Sequence, residues 1–160
     1  MNVRMIVEQY KKKNNFVQQV RTTKQVQLIG ESMMPTLDPS KILTLLVSDC
    51  CDFKTGDVVV FEYKQSVVGV SVHRIIKKAG NIITTKGDNN LHSDESINSS
   101  AIIGRVEKAL MKDMTIVTVK SSNFVAWFSR LESRITSLLP KRLTMIVHQV
   151  LTKAYKFFIC

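Results

Sequence analysis

The sequence predicts a mainly β protein, with a coiled or barrel-like β core followed by C-terminal amphipathic helices. Two observations carry this. Between residues 25 and 120, short runs rich in Val, Ile and Thr are separated by turn signals. After residue 121 the apolar spacing changes to three and four, the period of a helix. A chain of 160 residues, 44% hydrophobic and 22% charged, can bury one real core and does not have the composition of a disordered chain.

Residues 1–24 read as a basic N-terminal arm or short helix, with Ile6, Val7, Tyr10, Val17 and Val20 at loosely helical spacing. Residues 25–120 read as the β domain. Its expected strands are Val26–Ile29, Ile42–Val47, Asp57–Tyr63, Val67–Lys78, Ile82–Thr85, Ile102–Glu107 and Thr115–Val119. Turns are expected at Asp38-Pro39-Ser40, Lys54-Thr55-Gly56-Asp57, Ala79-Gly80-Asn81 and Gly87-Asp88-Asn89-Asn90. Many short strands with such turns suggest a compact, curled sheet. Residues 121–160 form a helical appendage. Phe124, Phe128, Leu131, Ile135 and Leu138 mark one helix. Pro140 interrupts, and Leu143, Val147, Val150, Ala154 and Phe157 mark a second.

The net charge of +10 is unevenly placed. Residues 1–24 hold Arg4, Lys11, Lys12, Lys13, Arg21 and Lys24 against Glu8, and residues 121–160 hold Arg130, Arg134, Lys141, Arg142, Lys153 and Lys156 against Glu132. The middle is neutral, with 11 basic and 11 acidic residues. Two basic ends on a neutral body suggest an anionic partner, or helices solvated by their own cations. Cys50, Cys51 and Cys160 offer neither a C-x-x-C zinc pattern nor a comfortable disulfide, and read as reduced thiols. No segment reaches the roughly 18 apolar residues of a membrane span. The N-terminus is charged where a secretory signal needs its apolar stretch, so export is not expected.

Three features carry chemistry. In Gly30-Glu31-Ser32-Met33-Met34-Pro35-Thr36-Leu37-Asp38-Pro39-Ser40, a strand ending at Ile29 leads into a loop stiffened by two prolines. Ser32 then offers a hydroxyl nucleophile and a backbone N–H for an oxyanion, although a serine in such a turn is more often structural. In Val70–Ile76, alternation puts Val70, Val72 and Arg74 on one face and His73 and Ile75 on the other. A strand histidine beside apolar neighbours is commonly a packed core residue; imidazole is also the commonest general base. Thr85–Asp94 is a polar loop carrying two carboxylates, Asp88 and Asp94. It reads either as an Asx-rich surface turn or as the source of an acid that orients the histidine.

Taken in order, these features resemble the signal peptidase I family. Its nucleophile box S-M-x-P-T-L stands as Ser32–Leu37, and its G-D-V/I box as Gly56-Asp57-Val58. Where bacterial members have lysine before arginine, His73-Arg74 is similar to the endoplasmic-reticulum and archaeal type. The T-K-G-D-N-N box is intact at Thr85–Asn90, a second acidic position matches Asp94, and the closing box matches Ile103-Gly104-Arg105-Val106. The resemblance covers about residues 26–107. It implies the curled β fold shared with self-cleaving SOS-type repressors, and cleavage after small side chains in an extended peptide lying along a strand edge. It implies Ser32 as nucleophile and His73 as general base, with Asp94 as first choice to orient His73. Asp88 is the second choice, or a brace for the loop. Lys86 and Arg74 are expected to be structural or to face substrate, and His92 and His148 to be surface or packing residues.

Against the family's pattern, no N-terminal span is expected in residues 1–24, C-terminal helices are expected, and Gly30 stands where one bacterial branch has a serine that supplies a second oxyanion donor. The expected function is therefore a serine endopeptidase that removes a leader or signal peptide. No cofactor, metal or nucleic acid is expected. The expected location is peripheral on an anionic membrane through residues 122–159, or cytoplasmic. The alternative is a non-catalytic basic binding module on the same fold. A self-cleaving repressor would need a DNA-binding unit before the core, for which 25 residues are too few.

Overall fold

In a computed structural model, the structure describes residues 3–159 except 51, 64 and 67, and the side chains of 3–10, 141, 142, 152 and 154–159 fall outside the description. Cys51 and Cys160, and the side chains of Ile6, Val7, Tyr10, Ala154, Phe157 and Phe158, thus lie outside the described residues.

The body is one antiparallel sheet curled into a half-barrel, accompanied by three α-helices, two of them C-terminal. Its strands are β1 (Gln25–Val26), β2 (Ile42–Ser48), β3 (Val58–Glu62), β4 (Val70–Ala79), β5 (Ile82–Lys86), β6 (Ile97–Asn98), β7 (Ile102–Met111) and β8 (Ile116–Thr118). The spatial order is β1-β2-β7-β3-β4-β5-β6, with β8 on β7. Register shifts in the β2–β7, β3–β7 and β4–β5 ladders bend the strands, as bulges do. The close approach of β7 to the end of β2 leaves no room for a side chain at Gly104, where a Cβ would strike the Ser48 carbonyl. The β4–β5 hairpin turns in two residues, Gly80-Asn81, between the paired Ala79 and Ile82. Gly80 has φ +59, the left-handed conformation that such a turn demands and that glycine adopts freely.

The curl divides the core. On one side Val26, Met33, Leu37, Leu45, Val60 and Val106 pack with Val17 and Val20 of α1 (Val3–Thr23). On the other, Phe53, Val59, Phe61, Ile75, Ile83 and Ile102 form a second cluster.

Three details differ from the sequence-based expectation. The first strand stops at Val26 rather than Ile29, because Val26 is the last residue paired to β2. The fourth strand begins at Val70. The two-residue β6, paired to Ile82 and Ile83, is too short to show a period.

The C-terminal helices are α2 (Asn123–Leu138) and α3 (Lys141–Ile159). Ser122 caps α2, its hydroxyl accepting from Val125 N at 3.3 Å. Leu139 precedes Pro140, a position that disfavours helical backbone, and there α2 ends. The hairpin is antiparallel: Thr144 lies against Thr136, and His148 against Glu132. Among the described residues no helix is long and apolar enough to cross a membrane.

Candidate active site

Ser32 sits on the loop between β1 and β2. Gly30, at φ +87, turns the chain in a way an L side chain resists. Met33 and Leu37 then plug the core, and Leu37 N donates to Met33 O at 2.9 Å. The loop after β5 lies directly beneath. Asn89 N donates to Ser32 O at 2.7 Å, and a Cβ at Gly87 would stand 2.7 Å from the same carbonyl. A glycine is therefore required at 87 by the approach of the serine loop.

His73 lies in β4 one residue before Arg74, which is the last β4 residue paired to β5. Beyond that pair β5 has ended, and the imidazole reaches into the space left open. Its Nε2 is 3.2 Å from Ser32 Oγ and its Nδ1 is 2.6 Å from Asp94 Oδ2. An ionised carboxylate can only accept, so Nδ1 carries the hydrogen and Nε2 is left to accept from the serine hydroxyl. Phe61 lies beside the imidazole with ring centroids 6.0 Å apart, limiting its rotation. Asp94 is fixed in turn by Thr85. Thr85 Oγ1 donates to Asp94 Oδ2 at 2.7 Å, and Asp94 N donates to Thr85 O at 2.8 Å. The side chains of His73 and Asp94 are largely buried, with 9% and 8% of their surface exposed.

No protein family's sequence profile matches the chain, and neither a curated protein nor a solved structure matches it significantly.

Asp88 is set apart from this group. Its carboxylate takes a two-pronged bond from Arg74, Nε to Oδ1 at 2.9 Å and Nη2 to Oδ2 at 2.7 Å, with Thr36 Oγ1 also donating at 2.6 Å. Arg74 further donates to Gly56 O at 2.8 Å. Both charges are buried, and together they tie the serine loop, β4 and the loop after β5 into one block. Lys86 is also buried, donating to Glu132 Oε2 on α2 at 2.7 Å. Arg74 and Lys86 are thus structural, and neither lines the cleft beside Ser32. His92 is exposed. His148 packs on Glu132 Oε1 through Nδ1 at 2.7 Å.

That cleft measures about 240 Å³ and runs between Val26–Ile29 and the free edge of β4 at Val70–His73, with Ser32 and His73 at one end. Its walls include Leu28, Val70 and Val72, the last two on the β4 edge that β5 does not cover. Nearby, partial burial raises the Tyr63 phenol above its ordinary pKa, helped by the carboxylates of Asp94 and Glu95.

Sequence reasoning did not single out Thr36, Thr85, Asn89 or Glu132. The first three stand inside the boxes that flagged their neighbours. Glu132 carried a signal of its own as the single acidic residue in a segment of six cations.

Proposed function

We propose that this chain is a serine endopeptidase of the signal peptidase I type, in its Ser/His form, and that it removes a leader or signal peptide from a precursor. The observation that carries the reading is the continuous contact from Ser32 Oγ through His73 to Asp94. Such a chain lets a neutral serine act as a nucleophile at ordinary pH.

In this mechanism Ser32 Oγ attacks the scissile carbonyl carbon as its proton passes to His73 Nε2. Asp94 holds the tautomer and stabilises the imidazolium. The Ser32 N–H faces the developing oxyanion. His73 then gives its proton to the leaving amine, and the acyl group stays on Ser32 until water, activated by the same imidazole, releases it. The peptide lies extended along Val70–His73, pairing with the strand edge that β5 leaves free. The curled sheet suits the signal-peptidase fold. Peripheral attachment to a membrane belongs to this reading, with the cytoplasm as the alternative location.

Mass spectrometry of peptides from cells carrying wild type or Ser32→Ala tests it. The proposal expects a precursor to accumulate, and its shorter product to vanish, in the Ser32→Ala cells. Identical peptide populations would favour a non-catalytic basic binding module.

A further inference from the structure

The C-terminal hairpin is built inside out. In α2 the inward face carries Ser129, Glu132 and Thr136 beside Val125 and Ala126, all buried, while Phe124 is 52% exposed, Trp127 53% and Leu138 85%. In α3, Thr144 is buried, while Ile146 is 58% and Val150 60% exposed. A helix that packs only on its own protein turns the apolar stripe inward. Here an ion network holds the polar stripe there instead: Glu132 is gripped by Lys86 at 2.7 Å on one oxygen and His148 at 2.7 Å on the other. The exposed positions Phe124, Trp127, Leu131 and Leu138 recur at steps of three, four and seven on α2, and Leu143, Ile146 and Val150 at steps of three and four on α3, so each set lies along one helix face.

We infer that this hairpin docks on an anionic phospholipid bilayer. Charge selects the occupant. Glu132 is the single acidic residue of 121–160, and its charge is buried and answered from within. The outward charge is therefore cationic, with Arg134 and Lys153 exposed. Trp127, Arg130, Leu131 and Arg134 line one shallow hollow of about 230 Å³, placing an indole and guanidinium groups together. Rings at headgroup depth and cations on lipid phosphate are what an interfacial helix presents. A second copy of this chain would set two cationic hairpins face to face, which like charge opposes. A nucleic acid would leave the apolar stripes in water. This inference deepens the peripheral location proposed above and does not depend on the peptidase chemistry.

Trp127 is the sole tryptophan, so the protein carries its own reporter. Full-length protein is titrated with vesicles of phosphatidylglycerol and phosphatidylcholine, and separately with phosphatidylcholine alone. Trp127 emission should shift to the blue and the protein should sediment with the anionic vesicles only, less so as salt rises. Leu131→Gln with Ile146→Gln should weaken binding by roughly tenfold or more, as lost apolar insertion predicts. Arg134→Glu with Lys153→Glu should weaken it and flatten its salt dependence. Circular dichroism checks that the variants fold, and the wild-type titration decides even if they do not. No shift and no sedimentation at low salt would overturn the inference, as would equal binding to neutral vesicles. A wild-type dimer dissociated by Leu131→Gln with Ile146→Gln would overturn it too, by giving the face to a second copy. No substrate enters the assay, so its failure leaves the peptidase reading standing, and a catalytically inert protein can still bind.

Discussion

Thr85 and Asp94 hold each other twice: the threonine hydroxyl donates to Asp94 Oδ2 at 2.7 Å, and Asp94 N donates to the threonine carbonyl at 2.8 Å. The acid on a loop is thereby registered to a strand, and the strand is the partner of the one that carries His73. Removing the hydroxyl while keeping the shape tests this. Thr85→Val should slow acylation by about tenfold, the worth of one hydrogen bond to a charged group. Asp94→Asn should slow it far more, on the order of 10³- to 10⁴-fold, by mis-setting the imidazole tautomer. Rates of modification by a serine-directed probe measure both. An Asp94→Asn protein as fast as wild type would remove Asp94 from the mechanism.

Asp88 is expected to act on stability. Asp88→Asn removes the carboxylate charge that answers the buried Arg74 guanidinium, which costs on the order of 3 kcal/mol. Urea unfolding at neutral pH should show a clearly lower midpoint. A variant of wild-type stability that no longer reacts with the probe would move the orienting role from Asp94 to Asp88.

Much of this was legible in the chain. The Val/Ile/Thr runs located the central strands because alternation survives wherever one face is buried. The helical period located α2 and α3, and the boxes at Ser32, His73 and Asp94 named the residues that the fold sets in line, with His73 3.2 Å from Ser32 and 2.6 Å from Asp94. Periodicity could not say that pairing to β2 stops at Val26, since the apolar run continues to Ile29. Nor could it say which side of α2 turns inward. An apolar stripe specifies a face, and the partner decides its direction. Here the partner is Lys86, 46 residues before Glu132, a pairing that no local pattern encodes. Asp94 could be ranked ahead of Asp88 but not separated from it, because the separating fact is long-range: Arg74 takes Asp88 and His73 takes Asp94.

The Lys86–Glu132 pair yields a further expectation. Glu132→Leu strands the buried Lys86 charge and should destabilise by about 3–5 kcal/mol, Lys86→Met leaves Glu132 its His148 contact and should cost less, and both changes together should cost less than Glu132→Leu alone. Denaturation of the four proteins gives the coupling. Simple additivity would mean that the two charges do not depend on each other.

The central claim is that Ser32 is a nucleophile activated by His73. Treating the protein with a fluorophosphonate and mapping the adduct by peptide mass spectrometry tests it most directly. The account predicts one adduct, on Ser32 Oγ, absent from Ser32→Ala and formed about 10³-fold or more slowly in folded His73→Ala. Wild-type protein that stays unmodified, or His73→Ala that labels at the wild-type rate, would contradict it.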